Sequence, residues 1–193
     1  MAAGKGLDDS PSEFERAAQQ LYTARLRPEI NCEEIPAPQR IAPYSAAMTG
    51  DVVVSGDEIA TGRIVLLHDP DGNDAWHGTY RLVTFAKADV EPEMVRDPAI
   101  AEVGWTWFTD ALSANDAELV APSGSVTTVT SEGFGGLADD GSSAQLEIRA
   151  SWTPTSQVGP HVSAWGDLLC TVAGLPPLAP GVAMLPSRRA RKG

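Results

Sequence analysis

The sequence predicts an α+β, two-layer domain: an antiparallel sheet of about six strands with three main helices, ordered helix, four strands, helix, two strands, helix. Three observations predict it. Apolar residues recur at helical spacing in three separate segments. The β-branched runs between them are joined by short turns, which suits antiparallel neighbours better than βαβ units. One late segment, Gln145–Trp152, alternates strictly, with Leu146, Ile148, Ala150 and Trp152 on one face.

Each element has its own local reason. Ser10-Pro11-Ser12-Glu13 forms a capping-box pattern with proline at the first helical position. Phe14, Ala17, Ala18 and Leu21 follow on one helical face, and Pro28 ends the helix near Arg25–Arg27. Ile30–Ile35, Tyr44–Val54, Arg63–His68 and Thr79–Ala86 are the four strand candidates, with a Pro-rich loop at Pro36–Pro43. Asp97-Pro98 opens the second helix. Its stripe is Ile100, Val103, Gly104, Trp107, Phe108, Ala111 and Leu112, and Trp105 falls outside it. Ser125–Ser131 and Gln145–Trp152 are the last two strands, joined through the turn-prone Gly133–Gly141. Val162–Ala173 is the final helix, and Gly174 can take a left-handed cap ahead of Pro176-Pro177.

The organisation expected is a flexible leader at 1–9, one domain at 10–178 and a flexible basic C-terminal tail at 179–193. A chain of 193 residues with 42% hydrophobic composition can bury a full core. No secretory pattern and no apolar run long enough to span a bilayer occurs, so the expected location is cytoplasmic. Cys32 and Cys170 form no CxxC pair and are expected as reduced thiols in or near the core. The net charge is −12, and it becomes −16 once Arg188, Arg189, Arg191 and Lys192 of the tail are set aside. An acidic body repels nucleic acid and anionic membrane, which leaves the basic tail for any weak contact with nucleic acid.

The polar stretch LLHDPDGNDAWHG (Leu66–Gly78) invites a metal reading. Asp69, Asp71 and Asn73 fit three positions of a calcium loop, but Asp74 replaces the turn glycine and Tyr80 the closing glutamate. His68 and His77 lack the companions of a zinc site. A polar turn between two strands is the expectation, with no metal and no cofactor. Nucleophilic catalysis has no signature either, since no G-x-S-x-G elbow exists, and Gly133-Phe134-Gly135-Gly136 lacks the P-loop lysine. No catalytic residue is therefore named. Trp76 and Trp105 lie off the core patterns, as recognition aromatics do. With His77 and Arg149 they form the candidate binding set. Glu147 and Arg149 are expected as a surface couple on one strand face.

The segments LRPEI (26–30), PQRIAPYS (38–45), RIVLLHDP (63–70), WHGTYRLVTF (76–85), EPEM (91–94), FGGL (134–137), EIRASWTP (147–154) and AWGDLLCTVAGLPP (164–177) together resemble an actinobacterial family defined only as a domain of unknown function, number three thousand. The resemblance spans roughly residues 13–178. It brings no catalytic or binding residue with it. It implies at most an RNA-linked role, through genes near a ribonuclease D-like exonuclease. Two functions from different classes remain. The first is a cytosolic protein-binding or adaptor module with a protein partner or self-association. The second is a small-molecule-binding protein or enzyme with a pocket near residues 68–78 and Arg149. The missing catalytic constellation favours the first. A pocket with converging polar groups would favour the second.

Overall fold

A computed structural model describes residues 10–178, and it has the α+β architecture expected. The leader and tail expectations lie outside the described residues, as do the side chains of Ser10 and Pro11 on which the capping box depends. The elements are α1 (Ser10–Thr23), β1 (Ile30–Ile35), β2 (Tyr44–Val54), β3 (Asp57–Asn73), β4 (Gly78–Val90), α2 (Ile100–Ala114), β5 (Leu119–Glu132), β6 (Ser142–Pro154) and α3 (Val158–Val172). Short 3-10 helices occupy Met94–Arg96 and Gly135–Asp140. The strands form one antiparallel sheet in the order β1-β2-β3-β4-β6-β5. Strands therefore pair with their sequence neighbours, except that β6 enters between β4 and β5.

All three helices pack on one face. That face carries Ile64, Leu66, Leu82, Leu146, Ile148 and Trp152, all essentially without solvent contact. Removing each such side chain from water contributes about 1.5–3 kcal/mol before entropy is counted. The central helix α3 lies close to the sheet because Gly50 of β2 pairs with Gly62 of β3. A side chain at Gly50 would collide with Trp165 and one at Gly62 with Leu169, so the two glycines make the slot that α3 fills. The amides of Val158 and Gly159, at the start of α3, donate to the Gln20 carboxamide oxygen of α1 at 2.8 and 3.2 Å. These are orphan donors of a helix start, satisfied by a neighbouring helix. At the other end Gly174 takes the expected left-handed conformation (φ 76°), and the Leu175 amide returns to the Cys170 carbonyl.

Several local expectations need correction. In α2 the buried residues are Ile100, Gly104, Phe108, Ala111 and Leu112, whereas Val103 is 38% exposed and Trp107 only half-buried. The helix is rotated because Gly104 sits against Val126 of β5, so the smallest residue of the stripe sets its axis. Trp105 is half-buried too. It tilts against Phe108, 4.9 Å between centroids, and rests over Gly124, where a side chain would strike the indole. Cys170 is buried as expected, but Cys32 is exposed on the edge strand β1.

Candidate functional site

No helix among the described residues packs on the second face of the sheet. Strand registers line up one cross-strand row on it: Glu33, Thr49, Arg63, Phe85, Arg149 and Ser125. The next row is Ile35, Ala47, Val65, Val83, Ser151 and Ser123. Alternation along each strand puts these residues on the side opposite the core. One end of this face is roofed. Ala47, Val65 and Leu67 form a small apolar cluster under Ile35, Ala37, Ala42 and Trp76. Beyond that roof the two rows border an open-sided concavity of about 630 Å³, within the usual range of ligand sites.

Phe85, Val65 and Val83 give this groove an apolar floor, and Thr49, Ser123, Ser125 and Ser151 give it hydroxyl walls. Arginines stand on both sides of the phenyl ring. The Arg149 guanidinium lies 5.3 Å from the Phe85 centroid, in cation–π range. Its contact with Glu147 is loose, at 3.5 Å, and its own side chain is 65% exposed. Arg63 is exposed and has no ion-pair partner among the described residues. In a chain of net charge −12 such a local positive pair is against the trend of the surface.

Arg81 stands on the same face, one cross-strand row beyond Val83 and opposite Leu67 of β3. It is 7% exposed, and among the described residues its guanidinium donates to neutral oxygens only: Nη1 to the Ala121 carbonyl (2.9 Å) and the Thr153 hydroxyl (3.2 Å), Nη2 to the Ser123 hydroxyl (3.2 Å) and to the carbonyl (3.2 Å) and hydroxyl (2.7 Å) of Ser151. Burial pulls its pKa down from the ordinary arginine range. The Thr153 hydroxyl in turn donates to the Trp76 carbonyl, so Arg81 ties the turn before β4 to the bulged start of β5.

The sequence candidates separate on this geometry. Arg149 is in the groove, and Trp76 belongs to the roof beside it. His77 is exposed on the turn with φ 59°. Trp105 approaches β5 from the helix layer and meets it at Gly124, which also lines the groove. Arg63, Phe85 and Arg81 were not singled out from the sequence. The signal available was an arginine inside an alternating strand, Thr79–Ala86, on the same side as Val83 and Phe85. The register that joins them to Arg149 is a long-range property.

Residues 68–78 prove to be the end of β3, a tight turn and the start of β4. The Asn73 side chain accepts from the Ala75 amide at 3.0 Å, an Asx turn. His68 points the other way, into the core. It is 2% exposed, stacks on Tyr80 at 4.1 Å and receives Phe14 and Tyr44 around it. His68 and His77 therefore do not converge. Among the described residues no three His, Cys, Asp or Glu side chains are grouped to hold a metal ion. The third histidine, His161, is fully buried. Its Nδ1 accepts from the Trp152 indole at 3.0 Å, which leaves the ring proton on Nε2, 3.3 Å from the Ser156 hydroxyl. Burial pushes its pKa down to about 4, so it is neutral and structural.

No helix among the described residues is long and apolar enough to cross a membrane. No curated protein and no solved structure matches the chain. One family model does match, over residues 10–183 and so across all the elements just described. By that match the chain belongs to the family described as Protein of unknown function (DUF3000).

Proposed function

We propose that this chain is a binding domain for a small anionic molecule with a flat apolar body, held on the open face of the sheet. The observation that carries this is the cross-strand row Arg63–Phe85–Arg149 bordering a concavity of about 630 Å³. Charge, an aromatic plate and hydroxyl donors converge there, as a ligand site requires. Arginine suits the role because its planar fork matches carboxylate and phosphate oxygens. The acidic remainder of the surface disfavours a long polyanion and leaves a short one acceptable. The Thr49 hydroxyl of the row donates to the backbone carbonyl of Glu33 rather than to its carboxylate, which supports binding over catalysis. The test is a titration of the protein with 2-naphthoate, followed by calorimetry and by amide chemical shifts. Saturable binding that perturbs β4 and β6 and is lost in Arg63→Ala/Arg149→Ala is the expected result. Binding unaffected by the double substitution would remove the groove as the site.

A second reading, self-association, is favoured by one feature. β5 is an edge strand of 14 residues with no charged side chain from Leu119 to Ser131. The opposite edge, β1, has 6 residues and carries Glu33 and Glu34. Edges without charge are the ones that pair with another strand. A second copy could add its own β5 antiparallel. Light scattering of the wild type beside Thr128→Lys tests this: a dimer that the lysine splits supports it, and a monomer at high concentration ends it.

A further inference from the structure

Buried charges are normally matched by an opposite charge. Arg81 is buried, and among the described residues it is matched by none: all of its partners there are carbonyl or hydroxyl oxygens. Two of these hydroxyls, on Ser123 and Ser151, also line the groove. Each accepts a hydrogen bond from Nη2 of Arg81, so each keeps its own proton to donate elsewhere. Their oxygens are 3.2 Å apart. One proton is therefore used between them, and the other is available to a ligand in the groove that both side chains line. Arg149 stands two positions before Ser151 on the same strand face, and its cross-strand neighbour is Ser125.

We infer that this corner of the groove seats a carboxylate, with one oxygen accepting from the Ser123–Ser151 hydroxyl pair, the other from Arg149, and Arg81 supplying the balancing positive charge from the adjacent row. The inference rests on the open face being a ligand site, and it adds the chemical class of the ligand, a carboxylic acid with an apolar body along Phe85, Val65 and Val83. Two donor sets, the Ser123–Ser151 hydroxyl pair and the Arg149 guanidinium, match the two oxygens of a planar acid. Arg81 is a positioning residue here. It does not touch the ligand. It fixes which way two hydroxyl protons point, and its charge raises their strength as donors.

Arg81 also holds the bulge at Ala121, so the test must separate support of the fold from recognition of charge. The dissociation constants of 2-naphthoate and of the neutral 2-naphthamide are measured on the full chain. The ratio of the two reports the acid seat, while the amide alone reports the apolar floor. The wild type is expected to prefer the acid at least about tenfold, the effect of hydrogen bonds to a charged group. Ser123→Ala/Ser151→Ala should lower the ratio several-fold, with Arg149 keeping the remaining preference, and leave the amide affinity unchanged. Arg81→Met should do the same, and Arg81→Lys should restore part of the preference. If Arg81→Met does not fold, the serine variant decides. A ratio unchanged in the serine variant overturns the carboxylate seat, while the open-face reading survives if Arg63→Ala/Arg149→Ala still abolishes binding. Inorganic phosphate displacing naphthoate at equal concentration overturns the ligand class. A wild type that binds neither compound ends both proposals.

Discussion

The two faces of this one sheet differ in nearly every physical respect. The covered face holds Ile64, Leu66, Leu82, Leu146, Ile148 and Trp152 at or near zero exposure beneath three helices. The open face, one residue out of step on the same strands, holds Arg63, Phe85, Arg149 and a set of hydroxyls. Strand alternation makes this division possible at no cost to pairing, because successive side chains point to opposite sides. The lesson is that stability and recognition are assigned to different sides of a shared backbone. Substitutions on one side should move stability, and those on the other should move affinity.

Trp152→Ala should break the covered face most severely. It opens a large cavity and strips the donor from His161 Nδ1. A loss of about 3–5 kcal/mol in denaturant unfolding is expected, the range for buried aromatics. Acid should act on the same spot. The His161 pKa is about 4 in the folded chain against an ordinary 6.5. Below pH 6.5 the unfolded chain takes up a proton that the folded chain refuses until about pH 4. Stability is therefore whole above the unfolded value and falls as pH drops through this window, by about 3 kcal/mol. In His161→Gln that part of the pH slope should vanish in denaturant midpoints taken from pH 7 to 4.

Gly124→Ala couples the two faces. Its new carbon would press into the Arg149 carbonyl and the Trp105 ring, so β5 has to move away from β6. The expected cost is about 1–3 kcal/mol, as for overpacking, with weakened naphthoate binding at the same time. A variant of wild-type stability and affinity would show that β5 yields there freely. Arg63→Ala should do least to the fold, within about 0.5 kcal/mol. Its effect should appear only in calorimetry of the anion. A large loss of stability from Arg63→Ala would contradict the division of labour between the faces.

Much of the architecture was legible in the sequence because it rests on local periodicity. The alternation at Gln145–Trp152 named the buried side of β6 correctly, and Gly174 marked the end of α3. What was not legible depends on partners distant in sequence. β3 runs on through Asp69, Pro70 and Asp71, residues of turn character, because the hairpin with β4 resumes at Asn73–Gly78. Trp105 looked free from its own helix. It is half-covered because a glycine 19 positions later leaves room for it. The candidate groove was legible only at Arg149. Arg63 and Phe85 became its neighbours through registers that no single strand records, and Arg81 looked like any polar residue of an alternating strand.

The place of β6 between β4 and β5 has a consequence for how the chain reaches this state. Strands β1 to β4 form a ladder of sequence neighbours, and β5 with β6 forms a separate hairpin. Each can assemble through short-range closure, which is fast. The seam between β4 and β6 joins residues some 60 positions apart, such as Ala86 with Ile148, and α2 has to be in place to span it. A seam closed late governs the rate of unfolding more than the rate of folding. Substitutions there should give φ-values near zero, with higher ones inside β2 and β3. The groove straddles that seam, so the site would be complete only when the last two pieces of the sheet have met.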